Sequence, residues 1–166
     1  MNWFGLKRRL AAIELLVLDV DGVQTDGGLI YGDNGVVQRC FNARDGLGLK
    51  LLQQAGLELA FLSGGRGDGI HQRARHLGIS HCFTAIKDKA IAIAALQKQL
   101  EISINATAYI GDDSNDLVVR PQVGVLVSPA DGCKPLRRIA DLVLQQRGGY
   151  GAVRELADAI LRAKAN

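Results

Sequence analysis

Short apolar runs alternate along this chain with longer amphipathic runs, and this alternation limits the folds that are open to it. The apolar runs predict strands at 15–19, 57–62, 107–110, 123–127 and 141–144, with a further short strand near 81–84. The amphipathic runs predict helices at 45–55, 69–77, 88–100, 114–119 and 150–164. Strands that alternate with helices form a parallel sheet covered on both faces. Nearly continuous apolar strands also fit burial on both faces.

One segment interrupts the alternation. Residues 29–42, LIYGDNGVVQRCFN, contain two short β-like runs around Asp33-Asn34-Gly35, which is a typical hairpin signal. The chain shows no internal repeat and no linker, so we expect one domain over residues 1–166. The predicted fold class is therefore α/β: a Rossmann-like three-layer α/β/α sandwich with a parallel sheet, a small inserted hairpin and no cap domain.

Composition and charge exclude several classes of protein. The net charge is +3 and aromatic residues make up 5% of the chain, with the basic residues scattered, so we expect no nucleic-acid partner. No apolar run approaches the length of a membrane span, so we expect no membrane association. The three cysteines, Cys40, Cys82 and Cys133, are widely spaced and odd in number, which indicates a reducing compartment and predicts a cytoplasmic location.

Polar side chains follow three of the predicted strands. Asp19 and Asp21 come after the first strand, Ser63 after the second, and an acidic cluster that begins at Asp112 after the third. Lys89 opens the helix 88–100, whose other positions include apolar residues at 91, 94, 95 and 100. Ligands of parallel α/β sheets bind beyond the carboxyl ends of the strands. These groups should therefore meet at one edge of the sheet.

Each of these residues also has an ordinary structural explanation. Asp19 and Asp21 could form a turn, Ser63 could cap a helix, Lys89 could be solvated, and the acidic cluster could cap the helix 114–119. All of these explanations would have to hold together to remove the site. Carboxylates at one edge repel one another, and a divalent cation with oxygen ligands, of which Mg²⁺ is the best fit, relieves that repulsion. A carboxylate beside such a cation can attack phosphorus, while a second carboxylate transfers protons.

The same residues resemble the four motifs of the haloacid dehalogenase superfamily of phosphatases. The matching residues are Asp19-Val20-Asp21-Gly22-Val23, Ser63-Gly64, Lys89 and Gly111-Asp112-Asp113-x-Asn115-Asp116. Longer stretches resemble the small capless branch that includes 3-deoxy-D-manno-octulosonate 8-phosphate phosphatase. These stretches are DVDGVQTDGG, FNARDGLGLKLLQQAG, IKDK, YIGDDSNDL and GGYGAVRE. The resemblance covers essentially the whole chain.

The resemblance implies a role for each matching residue. Asp19 would be the nucleophile and a Mg²⁺ ligand. Asp21 would be the general acid and base and would offer its backbone carbonyl to the metal, and Asp112 would be the third protein ligand. The other implied roles are proximity to the metal for Asp113, Asn115 and Asp116, phosphate binding for Ser63, Gly64 and Lys89, and substrate binding for Arg44 and Arg66.

The resemblance also implies a substrate and an assembly. The reaction would be hydrolysis of 3-deoxy-D-manno-octulosonate 8-phosphate, a small sugar acid phosphate, through an aspartyl-phosphate. The enzyme would be a homotetramer in which the hairpin 29–42 packs around a central axis and the segment 148–155 reaches an active site. Three positions depart from the usual pattern: Gly65 and Tyr150 replace arginines, and Gln24 replaces an apolar residue. These departures leave a nonulosonic (sialic or deaminated sialic) acid 9-phosphate open as an alternative substrate.

Three other classes of function compete with a phosphatase. A phospho-accepting receiver domain also binds Mg²⁺ beside an aspartate, but it needs neither Asp21 nor a second acidic cluster. A noncatalytic scaffold would have lost a motif residue, whereas Asp19, Ser63, Lys89 and Asp112 are all present. A phosphomutase would need a cap domain to reposition its intermediate. Hydrolysis is the simplest outcome.

Overall fold

The structure is a computed structural model that describes residues 3–33, 35 and 37–165. Its elements in chain order are α1 Trp3–Ala11, β1 Leu15–Leu18, β2 Ile30–Tyr31, β3 Val37–Gln38, α2 Ala43–Gln54, β4 Glu58–Leu62, α3 Asp68–Leu77, β5 His81–Phe83, α4 Lys89–Leu100, β6 Thr107–Ile110, β7 Val125–Ser128, α5 Lys134–Ile139, β8 Leu142–Val143 and α6 Ala152–Lys164. Two 3-10 helices, Ile104–Ala106 and Ser114–Gln122, flank β6. None of the described helices combines the length and apolarity that a membrane span requires.

Six strands form one parallel sheet in the order β5-β4-β1-β6-β7-β8. The chain moves from β1 to β4 and β5 on one side and then returns to add β6 on the other side of β1. The strand order therefore reverses at β1, and ligands of open parallel sheets bind at such a reversal. The carboxyl ends of β4, β1 and β6 lie side by side there, as the sequence predicts.

The core has two parts, one on each face of the sheet. Leu16 and Leu18 of β1 pack into a cluster with side chains from α1, α2, α3 and α6. Leu15 and Val17 point to the other face, where their cluster includes side chains from α4, α5 and the 3-10 helix 114–122. Successive strand residues point to opposite faces, so one continuous apolar strand serves both layers. The predicted three-layer α/β/α fold is confirmed, and no separate cap domain accompanies the sheet in the part of the chain that the structure describes.

The inserted hairpin is smaller than the segment that predicts it. Only two residues of each strand pair, Ile30 with Gln38 and Tyr31 with Val37. Residue 34, which is part of the predicted turn, lies outside the described residues. Two apolar side chains of the hairpin, Ile30 and Tyr31, are largely exposed.

Other elements differ from the sequence-based expectations. Helices α1 and α5 were not predicted, and the predicted helix 114–119 is a 3-10 helix that continues to residue 122 and contains Pro121. The apolar positions predicted for α4 were only partly right: Leu100 packs against the core, but Ile91 is 68% exposed, while Ile93 and Leu96 are buried. Lys89, Ile93 and Leu96 follow one another at helical spacing, so the buried face of α4 includes Lys89.

Candidate active site

Asp19 directly follows β1 and is held by the backbone around it. Its N–H donates to the carbonyl of Ile110, which extends the parallel ladder beyond β1. Its Oδ1 accepts from the N–H of Val20 at 2.6 Å, and its carbonyl accepts from the Gln24 side-chain amide at 3.2 Å. Asp19 is 6% exposed and Gln24 is 2% exposed. The carboxylate is therefore fixed in place, and the polar Gln24 at a usually apolar position has a buried partner.

Lys89 joins Asp19 to the acidic cluster after β6. Its Nζ donates to Asp19 Oδ2 and to Asp116 Oδ1, each at 2.6 Å, and to the hydroxyl of Tyr109 at 3.0 Å. The Tyr109 hydroxyl in turn donates to Asp116 Oδ1 at 2.6 Å. Lys89 is 3% exposed. The alternative that Lys89 is a solvated surface lysine is therefore excluded, since all three of its N–H donors are occupied inside the protein.

The loop after β6 is organised by Asp116. Its Oδ2 accepts from the backbone N–H groups of Asp112 and Asp113, at 2.9 and 3.2 Å. Gly22, at φ +82°, lies so close to the Asp112 carboxylate that a Cβ on Gly22 would collide with it. The loop that carries Asp19 and the loop that carries Asp112 are thus in direct contact.

Burial and mutual repulsion shift the protonation of these carboxylates. Burial raises the pKa of Asp19 to about 6, against the attraction of Lys89. Burial, with the charges of Asp19 and Asp116, raises the pKa of Asp112 to about 7. Burial alone would lower the pKa of Lys89, but the two carboxylates it contacts raise it, so Lys89 is a permanent cation.

The donor set fits a divalent cation. Carboxylate oxygens of Asp19, Asp112 and Asp116 all lie within 4.8 Å of one another. Asp116 accepts two hydrogen bonds on each of its oxygens, whereas Asp19 accepts one on each, so Asp19 and Asp112 keep free lone pairs. A hard cation with oxygen ligands would compensate the charges whose repulsion and burial raise the pKa values of these two aspartates.

Ser63 closes the opposite side of the site. It follows β4 and is 1% exposed, and its Oγ accepts from the N–H of Gly65 at 3.0 Å. That bond uses a lone pair of the hydroxyl and leaves its hydrogen to donate to a ligand. Ser63 and Gly64 can therefore offer hydrogen bonds to an anion in front of Asp19.

Asp21 is paired with an arginine from the hairpin segment. Arg39 Nε donates to Asp21 Oδ1 at 2.6 Å and Arg39 Nη2 donates to Asp21 Oδ2 at 3.1 Å. The Arg39 side chain is 3% exposed, whereas the Asp21 side chain is 27% exposed. Asp21 therefore faces the opening of the site with its orientation fixed from behind.

The predicted residues converge on one pocket of about 400 Å³. It is lined by Asp19, Asp21, Gly22, Gly27, Ser63, Gly64, Gly65, Asp112, Asp113, Ser114 and Asn115. Lys89 and Asp116 lie behind Asp19. The two predicted substrate arginines line other clefts of this chain: Arg66 lies between the hairpin and α3, and Arg44 lies between α2 and α6.

Three further residues contact the site without having been predicted to do so. Tyr109 lies within an apolar strand and Arg39 lies in the hairpin, so neither position marks it as polar machinery. Gln24 was noted only as a departure from the usual pattern. A buried strand tyrosine needs a partner for its hydroxyl, which is the one signal that could have linked Tyr109 to the site.

Comparisons with known proteins agree on one group of relatives. No family model matches the chain. A curated 3-deoxy-D-manno-octulosonate 8-phosphate phosphatase of Haemophilus influenzae is 40% identical over 159 residues, which span 96% of this chain and 88% of the relative. The crystal structure of the enzyme of that name from Moraxella catarrhalis, in complex with magnesium, phosphate and the sugar acid, has a TM-score of 0.96 at 38% identity and covers 99% of this chain and 95% of its own. A cobalt-bound structure of the Haemophilus influenzae phosphatase has a TM-score of 0.92 at 40% identity and covers 95% of this chain and 92% of its own.

Proposed function

Since this chain belongs to the 3-deoxy-D-manno-octulosonate 8-phosphate phosphatases of the haloacid dehalogenase superfamily, we propose that it hydrolyses that sugar acid phosphate to the free acid and phosphate. The relatives favour this substrate over a nonulosonic acid 9-phosphate. They also favour an enzyme over a receiver domain, because they are phosphatases.

One observation carries the proposal. The Asp19 carboxylate lies at the point where the strand order reverses, 2.6 Å from the buried ammonium of Lys89, in a pocket that it shares with Asp21, Ser63 and Asp112. A nucleophile, a proton donor, a phosphate-binding hydroxyl and a metal ligand are thus brought together by the three loops that follow β1, β4 and β6. This set matches the requirements of phosphoryl transfer to a carboxylate.

Asp19 and Asp112 are the residues that would hold Mg²⁺, together with the backbone carbonyl of Asp21 that the family resemblance implies. When bound, the ion neutralises phosphate charge and lets an anionic nucleophile approach. Asp116 supports Asp112 through the backbone, while Asp113 and Asn115 line the same edge of the pocket.

The protein's own groups divide the reaction into two steps. Asp19 attacks phosphorus and forms an aspartyl-phosphate, while Asp21 donates a proton to the departing sugar oxygen. Asp21 then accepts a proton from the water that attacks the phosphorus of the intermediate and releases phosphate and Asp19. Ser63, Gly64 and Lys89 stabilise the phosphate oxygens, with Lys89 exchanging one of its three present partners for phosphate.

The proposal extends to the assembly and the setting of the enzyme. We infer a homotetramer from the family resemblance, and the exposed Ile30 and Tyr31 of the hairpin support an interface there. Light scattering on the purified protein tests this inference: a monomer would contradict it.

We propose that residues 1–166 form one catalytic domain. The three free cysteines favour the cytoplasm. The scattered basic residues, the few aromatic residues and the short apolar runs favour a small-molecule substrate over nucleic acid or membrane as a partner.

The direct experiment is phosphate release from 3-deoxy-D-manno-octulosonate 8-phosphate with Mg²⁺, beside an EDTA control and a nonulosonic acid 9-phosphate. We expect a kcat/KM of at least about 10⁴ M⁻¹s⁻¹ on the first substrate, within the usual range for enzymes, and no turnover with EDTA. A higher kcat/KM on the nine-carbon substrate would overturn the substrate assignment.

The matched variant is Asp19→Asn, which keeps the shape of the side chain and removes the nucleophile. We expect turnover to vanish while circular dichroism and thermal unfolding show a folded protein. Near-normal activity in this variant would exclude an aspartyl-phosphate on Asp19.

A further inference from the structure

Arg39 is a buried cation with an unused edge. Its guanidinium carries five N–H donors in a plane, of which Nε and Nη2 contact Asp21. Its Nη1 is buried and has no hydrogen-bond partner among the described residues. A buried charged donor without an acceptor is costly, and a native structure that contains one calls for an explanation.

A cleft next to the catalytic pocket adjoins that unused edge. The cleft has a volume of about 700 Å³ and runs between the hairpin segment and the start of α3, and Arg39 and Arg66 both line it. Nη1 lies close to Gly67: a Cβ added to Gly67 would be 3.2 Å from Nη1. Gly67 precedes α3 and has no side chain to cap its first turn, and Asp68 is the acidic residue among those lining the cleft.

Gly65 connects this cleft to the catalytic pocket. A Cβ on Gly65 would lie 2.9 Å from Asp21 Oδ2 and 3.1 Å from Arg39 Nη2, so the guanidinium packs directly against the pocket wall. Gly65 occupies a position where the family pattern has an arginine. In this chain Arg39, from the hairpin segment, lies beside Gly65.

We propose that Arg39 is a specificity-determining residue whose Nη1 edge binds the carboxylate of the substrate. This inference rests on the proposed function. An α-keto sugar acid that is phosphorylated at its terminal carbon carries its carboxylate at the opposite end, so a phosphate in front of Asp19 directs the carboxylate away from the catalytic pocket. A planar guanidinium suits a carboxylate because it can offer two parallel N–H groups.

The ion pair with Asp21 holds Arg39 in place without disabling Asp21. A carboxylate has about four lone-pair sites, and Arg39 uses two of them. The remaining sites face the pocket, where the Asp21 side chain is exposed and can transfer a proton. One residue thereby links recognition of the acid end of the substrate to the orientation of the proton donor.

The test compares Arg39→Gln with the parent on two substrates, 3-deoxy-D-manno-octulosonate 8-phosphate and 4-nitrophenyl phosphate, which has no carboxylate. Loss of a charge-assisted hydrogen bond should lower kcat/KM on the sugar acid phosphate by about 10- to 100-fold relative to 4-nitrophenyl phosphate, mainly through KM. The inhibition constant of the free sugar acid should rise by a similar factor, while that of inorganic phosphate should stay within about threefold.

Two further variants separate recognition from folding. Arg138→Gln removes an exposed arginine of α5, far along the chain from the cleft, and should leave both substrates unaffected. Arg39→Lys keeps the charge but loses the planar pair of donors, so it should fall between the parent and Arg39→Gln and should unfold at the parent temperature.

The outcomes distinguish the two proposals. A parent that hydrolyses the sugar acid phosphate, beside an Arg39→Gln variant that keeps the parent KM for it and the parent inhibition constant for the free sugar acid, would contradict the role of Arg39 alone, whatever happens to kcat. A parent that does not hydrolyse the sugar acid phosphate would contradict the proposed function and this inference together.

Discussion

Magnesium affinity should fall steeply between pH 8 and pH 6. Burial raises the pKa of Asp19 to about 6 and that of Asp112 to about 7 in the metal-free protein. A metal ligand must lose its proton before it can bind, so protons compete with Mg²⁺ at both aspartates over this range. Ordinary carboxylates, which titrate near pH 4, would give almost no pH dependence there.

The size of the effect follows from these two values. At pH 6 Asp112 is protonated in roughly ten molecules of eleven and Asp19 in about half, whereas at pH 8 both are almost fully ionised. The apparent affinity for Mg²⁺ should therefore be about 20-fold weaker at pH 6 than at pH 8. In Asp112→Asn, Asp19 is the only one of the two that titrates. The affinity for Mg²⁺ should then be weaker at every pH and should change only about twofold between pH 8 and pH 6.

Isothermal titration calorimetry with Mg²⁺ at the two pH values measures this ratio. Thermal unfolding with and without Mg²⁺ provides an independent measurement of the same pH dependence. The folded pKa values exceed the unfolded value of 3.8, so these carboxyls contribute stability below about pH 4 and lose it as the pH rises through about 6 and 7. Mg²⁺ should accordingly raise the unfolding temperature more at pH 8 than at pH 6. A ratio of affinities below about threefold would refute the coupling of these aspartates to the metal.

Three substitutions, the last with a matched control, test other parts of the structure. Tyr109→Phe removes the buried hydroxyl that contacts Lys89, the proposed phosphate-binding lysine, and kcat/KM should fall roughly five- to tenfold without loss of fold; unchanged kinetics would show that the hydroxyl only packs. Gly22→Ala places a methyl group, at a positive φ, against the carboxylate of Asp112, a proposed metal ligand, so calorimetry should show Mg²⁺ binding weakened by at least about tenfold; parent-like binding would contradict the close contact. Asp45→Ala removes the buried carboxylate that accepts from the first turn of α6, and urea unfolding should show a loss of about 1–3 kcal/mol. Asp158→Ala, which breaks an exposed i,i+4 pair, should cost less than about 0.5 kcal/mol, and equal losses would refute the role of burial.

The site could be anticipated from the sequence to the extent that it follows the rule for parallel sheets. Asp19, Ser63 and Asp112 each come directly after an apolar run, and adjacent strands of one direction bring such residues together without any knowledge of side-chain geometry. The burial of Lys89 could not be anticipated, since a lysine at the start of a helix is usually solvated. Its spacing relative to Ile93 and Leu96 carries the information, but the apolar residue at 91 gives an equally plausible pattern.

The residues that the sequence did not reveal act through contacts distant in the chain. Arg39 reaches Asp21 from the hairpin segment, and Tyr109 of β6 reaches Lys89 of α4, which packs on the same face of the sheet. Neither contact follows from local periodicity, because both depend on how loops and layers pack. The sequence predicted a helix at 114–119 but not its type. The structure shows a 3-10 helix at 114–122 that begins at the reciprocal caps of Asp113 and Asp116 and contains Pro121, a residue that interrupts α-helical hydrogen bonding.

Trapping the phosphorylated protein would test the central claim most directly. Asp21→Asn should still be phosphorylated by 4-nitrophenyl phosphate, whose leaving group needs no proton, but it should release the phosphate slowly because the water has no base. Rapid acid quench should then show close to one nitrophenol per protein in a burst, and mass spectrometry should find the phosphoryl group on the peptide that contains Asp19. A phosphoryl group on another residue, or steady turnover with no burst and no modified peptide, would contradict the account.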